Sequence, residues 1–208
     1  MDRIGFEMDE EKKQRYVERM QRKKSVIDAA IERAQEERGI VIVITGNGKG
    51  KTTSAFGTLF RAIGHGQRVG VIQFIKGKQS TGEFLFLQQC GMPVEYHAMA
   101  TGFTWDSQNW DEDRKAAEEA WSQAQKMLND EQLNLVIFDE LTYLLKYKFL
   151  DANVVQKAIR ERPAMQNVII TGRAATPDLL ELADTVSEIR DEKHAFRLGV
   201  KAQAGIDF

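Results

Sequence analysis

Nine residues, Thr45-Gly46-Asn47-Gly48-Lys49-Gly50-Lys51-Thr52-Thr53, restrict the fold of this chain more than any other stretch. They follow the apolar, β-branched run Ile40 to Ile44 and lead into Thr53 to Gly66, which reads as a helix. Strand, glycine-rich loop, Lys-Thr and helix in that order make a phosphate-binding loop. Glycines let successive backbone N–H groups close around phosphate oxygens, and the helix points its positive end at them. The helix dipole supplies at most about 2 kcal/mol, whereas micromolar binding needs about 8 kcal/mol. Lys51 and a metal ion held by Thr52 are the expected sources of the difference. Gly46, Asn47, Gly48, Lys49, Gly50, Lys51, Thr52 and Thr53 are the expected phosphate contacts. The general pattern has a glycine where this chain has Thr45.

Beyond the loop, short apolar runs alternate with helical stretches. Arg68 to Ile75, Leu135 to Phe138, Asn167 to Thr171 and Thr185 to Ile189 are β-branched and apolar, as strands covered on both faces of a parallel sheet must be. Glu112 to Leu128 carries Ala117, Ala120, Trp121, Ala124 and Leu128 along one side. A helix from Asp151 ends before Pro163, and another starts at Thr176 with Pro177 in its first turn. This predicts an α/β domain of three layers with a mostly parallel sheet. With 208 residues, 42% of them hydrophobic, the chain holds one sizeable core, assigned to residues 39–208.

Residues 1–38 form an N-terminal extension. Tyr16, Met20, Ile27, Ile31 and Ala34 fall on one helical face, and seven basic residues stand against Glu18 between Lys12 and Lys24. A solvated helix face accounts for the charge; an active-site flap meeting an anionic ligand is the functional alternative. The net charge of −2 argues against wholesale binding to nucleic acid or an anionic membrane. One cysteine, Cys90, excludes an intrachain disulfide. No run approaches the roughly 18 apolar residues of a membrane span, and the first residues lack the apolar core of an export signal. The expected setting is the cytoplasm.

Asp139-Glu140 ends the run Leu135 to Phe138 and places two carboxylates at the edge of the sheet beside the loop. There they, with Thr52, suit a hard cation, Mg²⁺ or Mn²⁺ in its place. Gln73, Lys76 and Arg173 also follow strands, where ligands collect in open α/β sheets, and Arg173 reads equally as a phosphate contact or a turn residue. Phe103 and Trp105 lie in a loop, Ala100 to Trp110, at the same edge. They either tuck beneath it or form a platform for a flat second substrate. His65, His97 and His194 lie in no Asp-x-His-x-x-Gly setting, and no Cys/His cluster suggests zinc. These residues serve a water-activating motor ATPase, with Glu140 polarising water, as well as a transferase.

In order along the chain, TGNGKGKTT, FGTLFRAIGHG, VGVIQFIKG, MATGFTW, FDELTY, VIITGR, LADTVSEI, KHAF and GVKAQAGIDF resemble the P-loop type of ATP:corrinoid adenosyltransferase, the cob(I)alamin adenosyltransferases. MATGFTW and KAQAGIDF are not general nucleotide-binding motifs, and the family too has a non-glycine residue at the position of Thr45. The resemblance implies a RecA-like sheet, a homodimer, a reduced flavoprotein as electron donor, and a reversed ATP whose far phosphates sit in the loop while C5′ faces the corrinoid. It gives Lys51 the leaving triphosphate, and Phe103 and Trp105 the displacement of axial cobalt ligands. Adenosyl transfer in adenosylcobalamin synthesis or salvage is the implied activity, with neither membrane nor nucleic acid as a partner.

Overall fold

The structure, a computed structural model, describes residues 9–75, 81–99 and 109–207. The chain divides into two compact units, one up to Glu37 and one from Arg38. In the first, helix α1 (Glu10–Arg33) has no buried residue. Lys13 pairs with Glu10, Arg15 with Glu11 and Lys24 with Asp28 along its surface, as charges three or four residues apart do on a helix.

The second unit alternates strand and helix: β1 (Val41–Thr45), α2 (Lys51–Gly64), β2 (Val69–Gln73), α3 (Gly82–Gln89), β3 (Val94–Ala98), α4 (Trp110–Leu128), β4 (Leu135–Asp139), α5 (Leu141–Lys146), α6 (Ala152–Arg160), β5 (Asn167–Thr171), α7 (Pro177–Leu182) and β6 (Thr185–Glu188). A 3-10 turn, Ala195–Leu198, follows. All six strands are parallel, in the order β3-β2-β4-β5-β1-β6. One strand, β5, stands between the loop strand β1 and the acid-ending strand β4.

Side chains alternate across each strand, so the sheet carries two cores. Val41, Val43, Val136, Phe138, Val168 and Ile170 face a cluster with Ala117, Trp121, Leu144, Val155 and Leu179. Ile44, Val69, Val71, Ile137 and Ile169 face Ala55, Phe56, Leu59 and Leu87 from α2 and α3. Helix, sheet and helix make the three expected layers. The expectation of strands covered on both faces fails at β6, where every residue is exposed. It is an edge strand paired to β1, and one flank of it has no neighbour among the described residues.

Short polar side chains start the crossover helices: Asn109 accepts from the Glu112 amide, Asp151 from Asn153 and Thr176 from Leu179. Helix α2 differs. Its N-cap is Gly50 at φ 117°, with no side-chain cap, so its first N–H groups are left for a ligand.

Candidate active site

The loop after β1, the acids at the end of β4 and Arg173 after β5 share one cleft of about 880 Å³. Gly46 (φ 100°) and Gly48 lie directly against the chain leaving β6. A Cβ on either would stand 2.4 Å from a carbonyl oxygen, that of Ile189 or of Arg190, so only glycine fits. Thr45 departs from the general pattern because its side chain is used: it is buried, and Oγ1 accepts from the Ala175 amide at 3.3 Å.

Asp139 is the hub. Its buried carboxylate accepts from Thr171 Oγ1 (2.6 Å), Thr52 Oγ1 (2.9 Å) and Gln73 Nε2 (3.0 Å). Gln73 in turn accepts from the Tyr96 hydroxyl. Burial raises the Asp139 carboxyl, and the three hydrogen bonds oppose that rise. Burial also pushes the Tyr96 hydroxyl well up, with Asp139 adding to it. Thr52 donates its proton to Asp139, and its oxygen keeps a lone pair for a cation.

Glu140 sits at φ 61°, in a left-handed conformation that non-glycine residues seldom adopt. Its amide donates to Thr171 Oγ1 at 3.0 Å. Gly172 (φ 141°) leaves room for it: a Cβ there would meet Thr142 Oγ1 at 2.0 Å and Glu140 Oε2 at 3.2 Å. Glu140 Oε2 is buried without a partner. Burial, then the charge of Asp139, raises this carboxyl to about 7, against Lys51 and Arg173. Lys51 is buried and donates to the Gly48 carbonyl at 2.8 Å. Burial lowers its ammonium; Glu140 and Asp139 oppose this, and Arg173 adds to it. A neutral-to-acidic pocket holding an orphaned carboxylate oxygen, a carboxylate hub and a free hydroxyl lone pair fits a hard divalent cation.

Asn47, Gly48, Lys49, Gly50, Lys51, Thr52, Thr53, Gln73, Asp139, Glu140 and Arg173 all line the cleft. Lys49 pairs with Asp207 at 2.8 Å. Phe103, Trp105 and Lys76 lie outside the described residues. The segment carrying Phe103 and Trp105 leaves β3 at Met99, whose amide donates to the Gln73 carbonyl at 2.9 Å. Sequence reading missed Thr171, Tyr96, Tyr143, His194 and Asp207. Thr171 carried a signal as a hydroxyl ending a strand beside the acid-ending one, and Tyr143, His194 and Asp207 lie in the motifs FDELTY, KHAF and GVKAQAGIDF without being assigned to the site.

The family model described as ATP:corrinoid adenosyltransferase BtuR/CobO/CobP matches residues 37–208. A corrinoid adenosyltransferase of Escherichia coli (strain K12) is 56% identical over 94% of this chain and 98% of its own. Those of Salmonella typhimurium and Pseudomonas aeruginosa are 54% and 50% identical, covering 94% and 95% of this chain and 98% of each of theirs.

Proposed function

The chain belongs to the ATP:corrinoid adenosyltransferase family, and from that premise we propose how its cleft moves the 5′-deoxyadenosyl group of ATP onto a corrinoid. Co(I) donates its electron pair to C5′, a cobalt–carbon bond forms, and the C5′–O bond breaks with its pair going to the leaving triphosphate. No proton is removed from water, so Glu140 need not act as a base.

The single observation that carries this reading is the order of the strands. Sheet position puts Asp139, Glu140 and Arg173 on one side of the loop and the chain after β6 on the other. In the ordinary polarity Lys and the Thr-bound metal hold the β- and γ-phosphates, so the nucleoside lies toward β6. The segment with Phe103 and Trp105 follows β3, at the opposite edge. A reversed ATP turns C5′ toward that edge.

Lys51 and the free N–H groups of α2 hold the triphosphate, neutralising charge that grows as C5′–O breaks. Thr52, Asp139 and Glu140 would hold Mg²⁺, which when bound adds positive charge at the same phosphates. Arg173 offers a planar donor fork on that side. Holding C5′ in line with the cobalt supplies the proximity term. Phe103 and Trp105 present side chains that do not coordinate metal, and so strip the axial ligands that favour oxidised cobalt. The reading extends to a cytoplasmic homodimer fed by a reduced flavoprotein, with residues 1–38 as a flap over the site.

The test is anaerobic. The protein is mixed with MgATP and chemically reduced cob(I)alamin, the corrinoid spectrum is followed and the phosphates are analysed. A light-sensitive alkylcobalamin spectrum with intact triphosphate is expected. An unchanged spectrum, with ADP and phosphate accumulating faster on adding single-stranded nucleic acid, would hand the cleft to a motor ATPase.

A further inference from the structure

One matched motif has no task in the transfer: the end of the chain, Gly199 to Asp207. The chain leaving β6 presses on the phosphate loop, with the Gly48 amide donating to the Ile189 carbonyl at 2.8 Å. It then returns to the loop. Asp207 Oδ1 accepts from Lys49 Nζ at 2.8 Å and Oδ2 from the Gln203 amide at 2.9 Å. The amides of Ile206 and Asp207 both donate to the Gln203 carbonyl, at 3.2 and 2.8 Å. This closes a turn whose Gly205, Ile206 and Asp207 line the cleft beside His194.

We infer that the turn Gln203–Asp207 sets the polarity of the bound ATP. It lines the cleft and is held to Lys49 of the phosphate loop, at the end of the loop where the nucleoside of an ordinarily oriented nucleotide would lie. The inference rests on the adenosyl-transfer reading above.

Size and charge both act. A ribose and base form a rigid, bulky group that collides with the turn, whereas a phosphate is compact. Asp207 does not repel that phosphate as a bare charge, because Lys49 neutralises it. Lys49 has three N–H donors and gives Asp207 one, so the others remain for phosphate oxygens. His194 Nδ1 accepts from the Phe196 amide at 3.2 Å, which leaves the ring proton on Nε2 as a further donor at the cleft. Lys49 and Asp207 are partly exposed, and such a pair is weak. Removing one partner frees the turn without disturbing the core.

The experiment combines kinetics with a photoprobe. In Asp207→Ala, ATP also enters nucleoside-first and occupies the loop with C5′ turned away from the corrinoid. Such unproductive binding lowers kcat and the ATP KM together, by a common factor of roughly three- to ten-fold, and leaves kcat/KM nearly unchanged. Asp207→Asn, which keeps one acceptor oxygen where the carboxylate has two, restores both in part. With 8-azido-ATP, wild type is labelled outside residues 189–207 and Asp207→Ala gains label within them. A raised KM with unchanged kcat, unchanged kinetics, or labelling of 189–207 in wild type overturns the inference, and the wild-type labelling needs no variant to fold. These results leave adenosyl transfer standing if wild type releases triphosphate; if it releases none, both readings fall.

Discussion

Thr171 ties three parts of the site together through one hydroxyl. It donates to Asp139 and accepts from the Glu140 amide, so it holds the hub carboxylate and the strained residue beside it. Thr171→Val keeps the shape and removes both bonds. A buried carboxylate that loses a donor costs about 1–3 kcal/mol, and thermal or urea unfolding measures that loss directly. The free Glu140 backbone should also weaken the metal site, seen as a higher Mg²⁺ concentration for half-maximal transfer. Lys51 is a different case. Among the described residues its side chain donates to the Gly48 carbonyl of its own loop, so Lys51→Ala should leave the fold intact. Loss of a charge aimed at the leaving group should cut the transfer rate about 10²- to 10³-fold, followed by the corrinoid spectrum. Wild-type turnover in that variant would remove the loop from the chemistry.

At the level of elements, periodicity and turn residues located most strands and helices, because those signals are local, but not the short helices α3 and α5. The phosphate loop, Asp139, Glu140, Gln73 and Arg173 were legible for the same reason: each follows a strand, and parallel strands all deliver their ends to one edge. Tyr96, His194 and Asp207 were not, since what gives each its place is a partner 23 or 158 positions away or a return of the chain, which no window of sequence displays. The exposed β6 was misjudged because apolar composition does not reveal which strand ends the sheet. What fixes the start of β1 beside β6 is again long-range: Asp184 accepts from Arg38 at 2.6 Å and from the Val41 amide at 2.8 Å. The Arg38 hydrogen bond, then the Val41 amide, holds its carboxyl near 2, below its ordinary 3.8. A depressed carboxylate stabilises the fold above its unfolded pKa and loses that stabilisation as pH falls toward its folded pKa, here between 3.8 and about 2. Asp184→Asn should therefore cost about 1 kcal/mol at neutral pH, the group being partly exposed. It should also flatten the fall of the urea midpoint across that acid window.

Over the whole molecule, the two units differ in what holds them together. Every residue of both hydrophobic clusters lies at or beyond Val41, so the unit from Arg38 carries its own core. Helix α1 has no buried residue, and Tyr16, Ile27 and Ile31 are all exposed along its apolar stripe. Surface ion pairs along it are each worth only about 0.2–0.5 kcal/mol, whereas most helical stability in proteins comes from packing an apolar face. An apolar stripe without a core function, joined to the basic run between Lys12 and Lys24, supports the proposed flap: apolar contact for a corrinoid face and positive charge for a polyphosphate. Deleting residues 1–24 should then leave the melting temperature near that of the full chain while raising the KM for ATP, for the corrinoid, or for both. The salt dependence separates the two contributions, because attraction to phosphate is screened over about 10 Å at 0.1 M and apolar contact is not. A rise in the ATP KM that shrinks at high salt assigns the basic face; a salt-independent rise in the corrinoid KM assigns the stripe. Unchanged kinetics would reduce the extension to a solvated helix.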